Sequence, residues 1–314
     1  MKTADMERRF MDYSRVSSAN KLKFEKLSAV LGQMQEEGID CILLKGADLI
    51  PRLYGVLGVR PLGDADLLVH ESDLPAIDHL LTRSGYRPII DGNPAYMDPD
   101  NILALDIVTK VWYVDEPDVI WRRAVPRHLH GISVKGLGSD DLLIYLTAYS
   151  VIHRGYLSAA FVRDLRLLVE KERLDWAFIV EEACRRHVRT PLYHGLSYVG
   201  RKAGVPIPDH ILSRLAPSGI AERLSYFFFR KLVTDKPIAE LGHLLLFLTR
   251  PGPVQKARWL SGAVFPPPVF LTYRYGDRWT AHPLATRLSR PFALMSQALR
   301  LSLRILRRLL ERPT

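Results

Sequence analysis

The chain changes its hydrophobic period near Gly138, and that switch constrains its fold more than any other feature. Before it, short apolar runs with two-residue alternation are separated by Gly and Pro. After it, apolar residues recur at helical spacing and no strand pattern is convincing. Strands confined to the first part must build the only sheet, with helices gathered beyond it. The expectation is therefore an α+β chain, with strands and helices over the first ~138 residues followed by an all-helical C-terminal region.

In the first part the pattern predicts a helix over 18–37, with Leu22, Phe24, Leu27, Val30, Leu31 and Met34 on one face. It predicts strands over 41–44, 64–70, 86–90, 102–111 and 132–135. A short helix over 47–54 should carry Pro51 in its first turn, where a missing N–H does little harm. A helix capped by Ser72 or Asp73 should run to Arg83 and stop at Gly85. In the second part helices are expected over 141–153, 158–171, 175–187, 191–204, 218–232 and 238–249. Residues 250–283, rich in Pro, Gly and aromatics, read as irregular, and 284–310 as a basic helix. The corresponding division is 1–138, 139–250 and 251–314. There is no internal repeat and no low-complexity tract.

Hydrophobic residues make up 47% and charged residues 25% of the chain, a globular balance that argues against disorder. The longest apolar runs, such as LLLFL at 244–248, fall far short of the roughly 18 residues that span a bilayer. The opening MKTADMERRFMDYSR lacks a signal peptide's apolar core, so the expected location is cytoplasmic. Cys41 and Cys184 have no metal-ligand spacing and read as buried small hydrophobes with no disulfide. Charge is uneven: residues 1–140 hold 17 Lys/Arg against 21 Asp/Glu, and the remainder holds 27 against 13. An acidic part suits cations, and a basic part suits phosphates, an anionic partner or simply solvation.

Three sequence pieces carry chemistry. Asp64 and Asp66 are two apart on a strand, so they project from one face. Two such carboxylates repel unless a cation lies between them, and Mg²⁺ is the usual choice where phosphates complete its shell. The plain alternative is a solvated strand end. The second piece is Lys45-Gly46, where a buried strand turns directly into a helix. Free backbone N–H groups there can meet an anion, with Lys45 adding charge, or the turn is an ordinary one. The third is Asp106, the only charge between Ile102 and Thr109. A lone acid in an apolar strand needs a partner, either a metal shared with Asp64 and Asp66 or a buried salt bridge.

Together these residues resemble the DNA polymerase beta-like nucleotidyltransferase superfamily. Within it they are similar to a poorly characterised bacterial nucleotidyltransferase family with the pattern LLKG…LY…G-R…D-x-D-LLV. Here the pattern reads LLKGADLIPRLYGVLGVRPLGDADLLV over residues 43–69. Gly85-Tyr86, LALD at 103–106, SDDLLIYL, the HRG at His153, RDLRLLVE, DWAFIVE and FPPPVFLTYRYG extend the likeness over most of the chain. The resemblance implies a polymerase-beta-like core, a mixed sheet with flanking helices, and transfer of a nucleotidyl group from an NTP such as ATP to an acceptor hydroxyl, with pyrophosphate leaving. Asp64 and Asp66 would hold one Mg²⁺ or Mn²⁺ ion, and with Asp106 a second. Lys45 and Gly46 would meet the β- and γ-phosphates. Arg60 would neutralise triphosphate or brace the acids, and His153 would reach the nucleotide. The superfamily's Gly-Ser pair reads Gly46-Ala47 here, which leaves that task to Lys45 and backbone N–H groups. Asp106 is followed by Ile107 and Val108 where the family often has an aromatic and a His.

Two other readings compete. One is an inactive nucleotidyltransferase fold serving as a binding or regulatory protein, such as a toxin–antitoxin component. The survival of all three acids argues against it. The other is an RNA-modifying enzyme, suggested by the basic second part but without a recognised RNA motif. The basic C-terminal helix has Leu294, Met295, Leu299, Leu303, Leu306 and Leu310 on one side. It is expected to pack that side on its own domain, with peripheral contact to an anionic membrane as the alternative.

Overall fold

The computed structural model describes residues 2–310 except 91, 93, 115 and 251, with side chains from residue 11 onward. The chain forms two compact units, 1–138 with 273–275, and 139–272 with 276–314.

The first unit opens with helix α1 (Lys2–Glu36), which begins well before the expected residue 18. Strand β1 (Ile42–Leu44) runs without a break into α2 (Lys45–Leu49). The helix continues as a π-helical segment (Ile50–Tyr54) closed by left-handed Gly55. Pro51 thus stands at the junction of the two hydrogen-bond registers rather than in a first turn. Its missing N–H falls where the ladder is changing anyway. Then follow β2 (Ala65–Leu68), α3 (Leu74–Arg83), β3 (Arg87–Pro88), β4 (Ala95–Met97), β5 (Ala104–Val108), α4 (Pro117–Arg123), β6 (Val125–Leu129) and β7 (Ile132–Gly136). Among the described residues these strands form one mixed sheet, in the order β3-β4-β5-β2-β1-β7-β6. β2 is central, parallel to β5 and antiparallel to β1. The apolar face of α1, from Phe24 to Met34, packs on the sheet with Leu67, Leu103, Leu105 and Ile107. Leu103, Leu105 and Ile107 are fully buried while Ala104, Asp106 and Val108 are half-buried. That is the two-residue alternation of a strand with one covered face.

The second unit is helical: α5 (Ser139–Ala148) with a π-helical end (Tyr149–Arg154), α6 (Ala159–Lys171), α7 (Trp176–Arg185), α8 (Arg189–Ala203), α9 (Asp209–Leu215), α10 (Ile220–Leu232), α11 (Leu241–Thr249), α12 (Gly252–Val264), α13 (Pro268–Tyr275, its last three residues counted with the first unit), α14 (Asp277–Ala281) and α15 (Pro283–Leu310). Ser158 and Asp175 cap their helices by accepting from the N–H of Phe161 and Phe178, at 3.1 and 3.0 Å. At Gly242 a β-carbon would meet the His153 carbonyl at 1.9 Å. Glycine is what lets α11 lie directly on that backbone.

Two expectations fail here. Residues 250–283 are largely helical, because Pro253 and Pro268 sit in first turns, where proline is accommodated. Cys184 is exposed, whereas Cys41 is buried and burial pushes its thiol up to about 12.

Candidate active site

The strand register brings the acids together. In the parallel β2–β5 pair Asp66 lies directly opposite Asp106, so both leave the sheet on one face, and Asp64, two residues before Asp66, leaves on the same face. One carboxylate oxygen from each of Asp64, Asp66 and Asp106 lies within 4.8 Å of the others. Asp64 is exposed, Asp106 half-buried and Asp66 buried. The cluster therefore opens to solvent at one end and is anchored in the sheet at the other.

Lys45 joins the cluster through its backbone. It is the hinge between β1 and α2 and holds a left-handed φ of 47°, unfavourable for a residue with a side chain by about 1 kcal/mol. In that conformation its Nζ stands 2.5 Å from Asp66 Oδ1. The next residue, Gly46, is buried. A β-carbon there would stand 2.7 Å from Arg60 Nη1 and 2.8 Å from Leu62 Cδ1. The bare backbone of Gly46 is thus the seat of the Arg60 guanidinium. Lys45, Gly46, Arg60 and Asp66 form a continuous chain of contacts beside the other two acids.

The family of uncharacterised nucleotidyltransferases has a model that matches residues 6–203. The chain belongs to that family. It is a nucleotidyltransferase, and its mixed sheet carries the acids. Among solved structures it is similar to the antibiotic-resistance factor ANT(2'')-Ia, studied in solution for its substrate-regulated conformation dynamics. Identity is 13%, with 61% of this chain and 98% of that one covered and a TM-score of 0.40. It is also similar to an antigenic nucleotidyltransferase-like protein from Paracoccidioides brasiliensis. There identity is 15%, coverage 62% and 92%, and the TM-score 0.44. At these scores the likenesses carry no argument of their own. No curated protein matches the chain.

The donor set of this nucleotidyltransferase fits a hard divalent cation. Three carboxylates offer oxygen ligands only. Oxygens of one Mg²⁺ shell stand about 3–4 Å apart, within small side-chain adjustment of the spacing here. Among the described residues no Cys or His belongs to the cluster, which disfavours the softer ions.

Sequence reading missed the parts that hold the cluster in place. Asn20 of α1 is buried, and its Nδ2 donates to the carbonyls of Leu57 and Arg60, each at 2.7 Å. Its Oδ1 accepts from the N–H of Leu62 at 2.8 Å. Lys23, one turn on, donates to the carbonyls of Leu62 and Gly63 at 2.6 and 2.9 Å. Two side chains of α1 thereby fix the loop that delivers Arg60 and Asp64. Asp48 of α2 is buried between Arg52 and Arg127, at 3.3 and 3.2 Å. Burial pushes its carboxyl up, opposed by the two guanidinium groups, and the trio ties α2 to β6. The one sequence signal for it was the Asp48–Arg52 spacing of four. No signal marked Asn20.

His153 belongs to the helical unit. It ends the π-helical segment, is exposed, and stacks on Tyr149 with ring centroids 4.9 Å apart. The nearby Arg154 donates to the Tyr156 hydroxyl at 2.9 Å.

Proposed function

We propose that this nucleotidyltransferase moves a nucleoside monophosphate from an NTP to a hydroxyl of a small-molecule, peptide or protein acceptor, releasing pyrophosphate in the cytoplasm. The observation that carries this reading is the convergence of Asp64, Asp66 and Asp106 within 4.8 Å, from two parallel neighbouring strands. Asp64, Asp66 and Asp106 would hold Mg²⁺ or Mn²⁺, which when bound supplies positive charge to the reacting phosphate and the attacking oxygen. Asp106 takes the proton as the acceptor oxygen forms its bond to the α-phosphorus and the bond to the β-phosphate oxygen breaks. Arg60, seated on Gly46, offers its guanidinium to the triphosphate charge. Lys45 serves two carboxylate states. With the acids bare its ammonium neutralises Asp66, and once a cation is held there the ammonium is available to the phosphates. By the resemblance alone, His153 is assigned to nucleotide contact. The placement within the polymerase beta-like superfamily follows the same residues.

The test uses the full chain with Mg²⁺, each α-labelled NTP and a fractionated metabolite and peptide pool. Label transfer to an acceptor together with pyrophosphate release, both stopped by EDTA, is expected. Transfer that survives chelation, or that persists after Asp106→Asn, would overturn the assignment. A regulatory, non-catalytic role would show NTP binding without label transfer.

A further inference from the structure

The long C-terminal helix α15 packs on its unit through Leu301 and Thr286, with Arg290 Nε donating to the Ala263 carbonyl at 2.7 Å. Arg308 donates to Thr234 Oγ1 and to the Lys236 carbonyl at 3.1 and 3.0 Å. These residues share one side. The opposite side is apolar and open. Leu288, Phe292, Met295, Leu299, Leu303 and Leu306 are between 50 and 73% exposed, and their spacing of three and four makes a single stripe. Leu284 and Leu310 extend it at both ends, each more than 70% exposed. At 1.5 Å per residue the stripe runs for about 39 Å. Scattered exposed apolar residues need no explanation, but a continuous band of this length does. The expectation that these leucines pack on their own domain is therefore overturned, because the helix is held by its other side.

The charge says what covers the band. α15 has six arginines and no acidic residue. Helical spacing sets Arg300 and Arg307 on one flank of the stripe and Arg287 on the other. The chain beyond residue 140 holds 27 Lys/Arg against 13 Asp/Glu. A second copy laid on this face would bring like charges together. An RNA would use the arginines and leave the leucines wet. No described helix is long and apolar enough to cross a membrane. We propose that α15 lies in the plane of an anionic lipid surface, with its leucine stripe among the acyl chains and Arg287, Arg300 and Arg307 at the headgroups. This inference stands independently of the catalytic reading.

The test is co-sedimentation of the full chain with vesicles of phosphatidylcholine alone or with about 30% phosphatidylglycerol, at about 0.1 and 0.5 M salt. Binding to the anionic vesicles is expected to exceed binding to neutral ones by at least roughly ten-fold and to weaken with salt. Met295→Glu/Leu299→Glu, at exposed positions, should lower it about ten-fold with circular dichroism and melting unchanged. Arg300→Glu/Arg307→Glu should lower it several-fold and flatten the salt dependence. Three results would overturn the proposal: no preference for anionic vesicles, unchanged binding by Met295→Glu/Leu299→Glu, or self-association at micromolar concentration that those substitutions abolish. The last would make a second copy the occupant.

Discussion

The sheet unit and the helical unit both bury carboxylates beside cations, Glu182 with Arg185 and Arg186 in the helical one, but they differ in where their exposed apolar side chains lie. In the first, carboxylates are driven inside and each is met by a cation: Asp66 by Lys45, Asp48 by Arg52 and Arg127, and Asp98 by Lys26 at 2.7 Å. Its large exposed apolar side chains are scattered. In the second, a continuous apolar stripe is turned outward on α15, and one of the most deeply buried titratable groups is the imidazole of His194. The difference has a physical cause. In the sheet unit the β2–β5 register sets Asp66 opposite Asp106, so a cation is needed beside them and Lys45 supplies it, and the apolar side chains that remain are used up in covering the sheet. A helix held by one side is free to show an apolar face to whatever surface will cover it.

The comparison can be broken in four ways. Asp66→Asn removes the buried member of the acid cluster. Loss of nucleotidyl transfer on the order of 10³-fold, about 4 kcal/mol, is expected with the fold intact. An unaffected rate would mean that the buried acids of the sheet unit serve stability alone.

Asp98 comes next. It is fully buried and accepts from Lys26 and from the N–H groups of Leu103, Ile102 and Asp100. Burial alone would raise its pKa, but those donors hold it below the ordinary carboxylate range. Its contribution is therefore complete at neutral pH. It is lost as pH falls below the unfolded value of about 3.9 and through the folded one. Asp98→Ala should cost about 3 kcal/mol in urea unfolding at pH 7, because it takes the acceptor from three backbone N–H groups in a buried turn, while Lys26 keeps Asp100 at 2.6 Å.

The helical unit should respond to acid earlier. Burial pushes His194 down to about 4, although the Val233 carbonyl accepts a hydrogen bond from Nε2 at 2.8 Å. A depressed imidazole pKa means stability is full above about 6.5 and declines as pH falls toward 4. The loss should be about 2 kcal/mol at pH 4.5. Unfolding followed at pH 7 and pH 4.5 checks it, and His194→Gln should flatten the slope. A sheet unit that softened first would reverse the contrast.

The smallest expected effect is at Lys45. Lys45→Met removes the cation that competes for Asp66. Mn²⁺ binding by calorimetry should tighten about five-fold, roughly 1 kcal/mol, while KM for NTP rises. Weaker Mn²⁺ binding would show that Lys45 positions the acid rather than competing for it.

The most legible elements were those whose burial is written in alternation. β5 reads directly from Leu103, Leu105 and Ile107, and β2 from its apolar run. β6 was missed because it is an edge strand. It carries Pro126, Arg127 and His128, and an edge tolerates proline and charge that a central strand would refuse. β4 was missed because three residues are too few to show a period. Helices α12 and α13 were hidden by prolines that look like breakers and act as first-turn residues.

The sequence by itself determined that a sheet would come first, that Asp64 and Asp66 would share a face, and that the second part would be helical and basic. Those properties follow from local period and charge count. Only the tertiary structure decided that Asp106 stands opposite Asp66, that Lys45 turns onto the acids, that Asn20 clamps the loop delivering Arg60, and which side of α15 is covered. Each of these depends on register or packing between segments far apart in the chain, and a linear pattern holds no record of which residue will lie across from which.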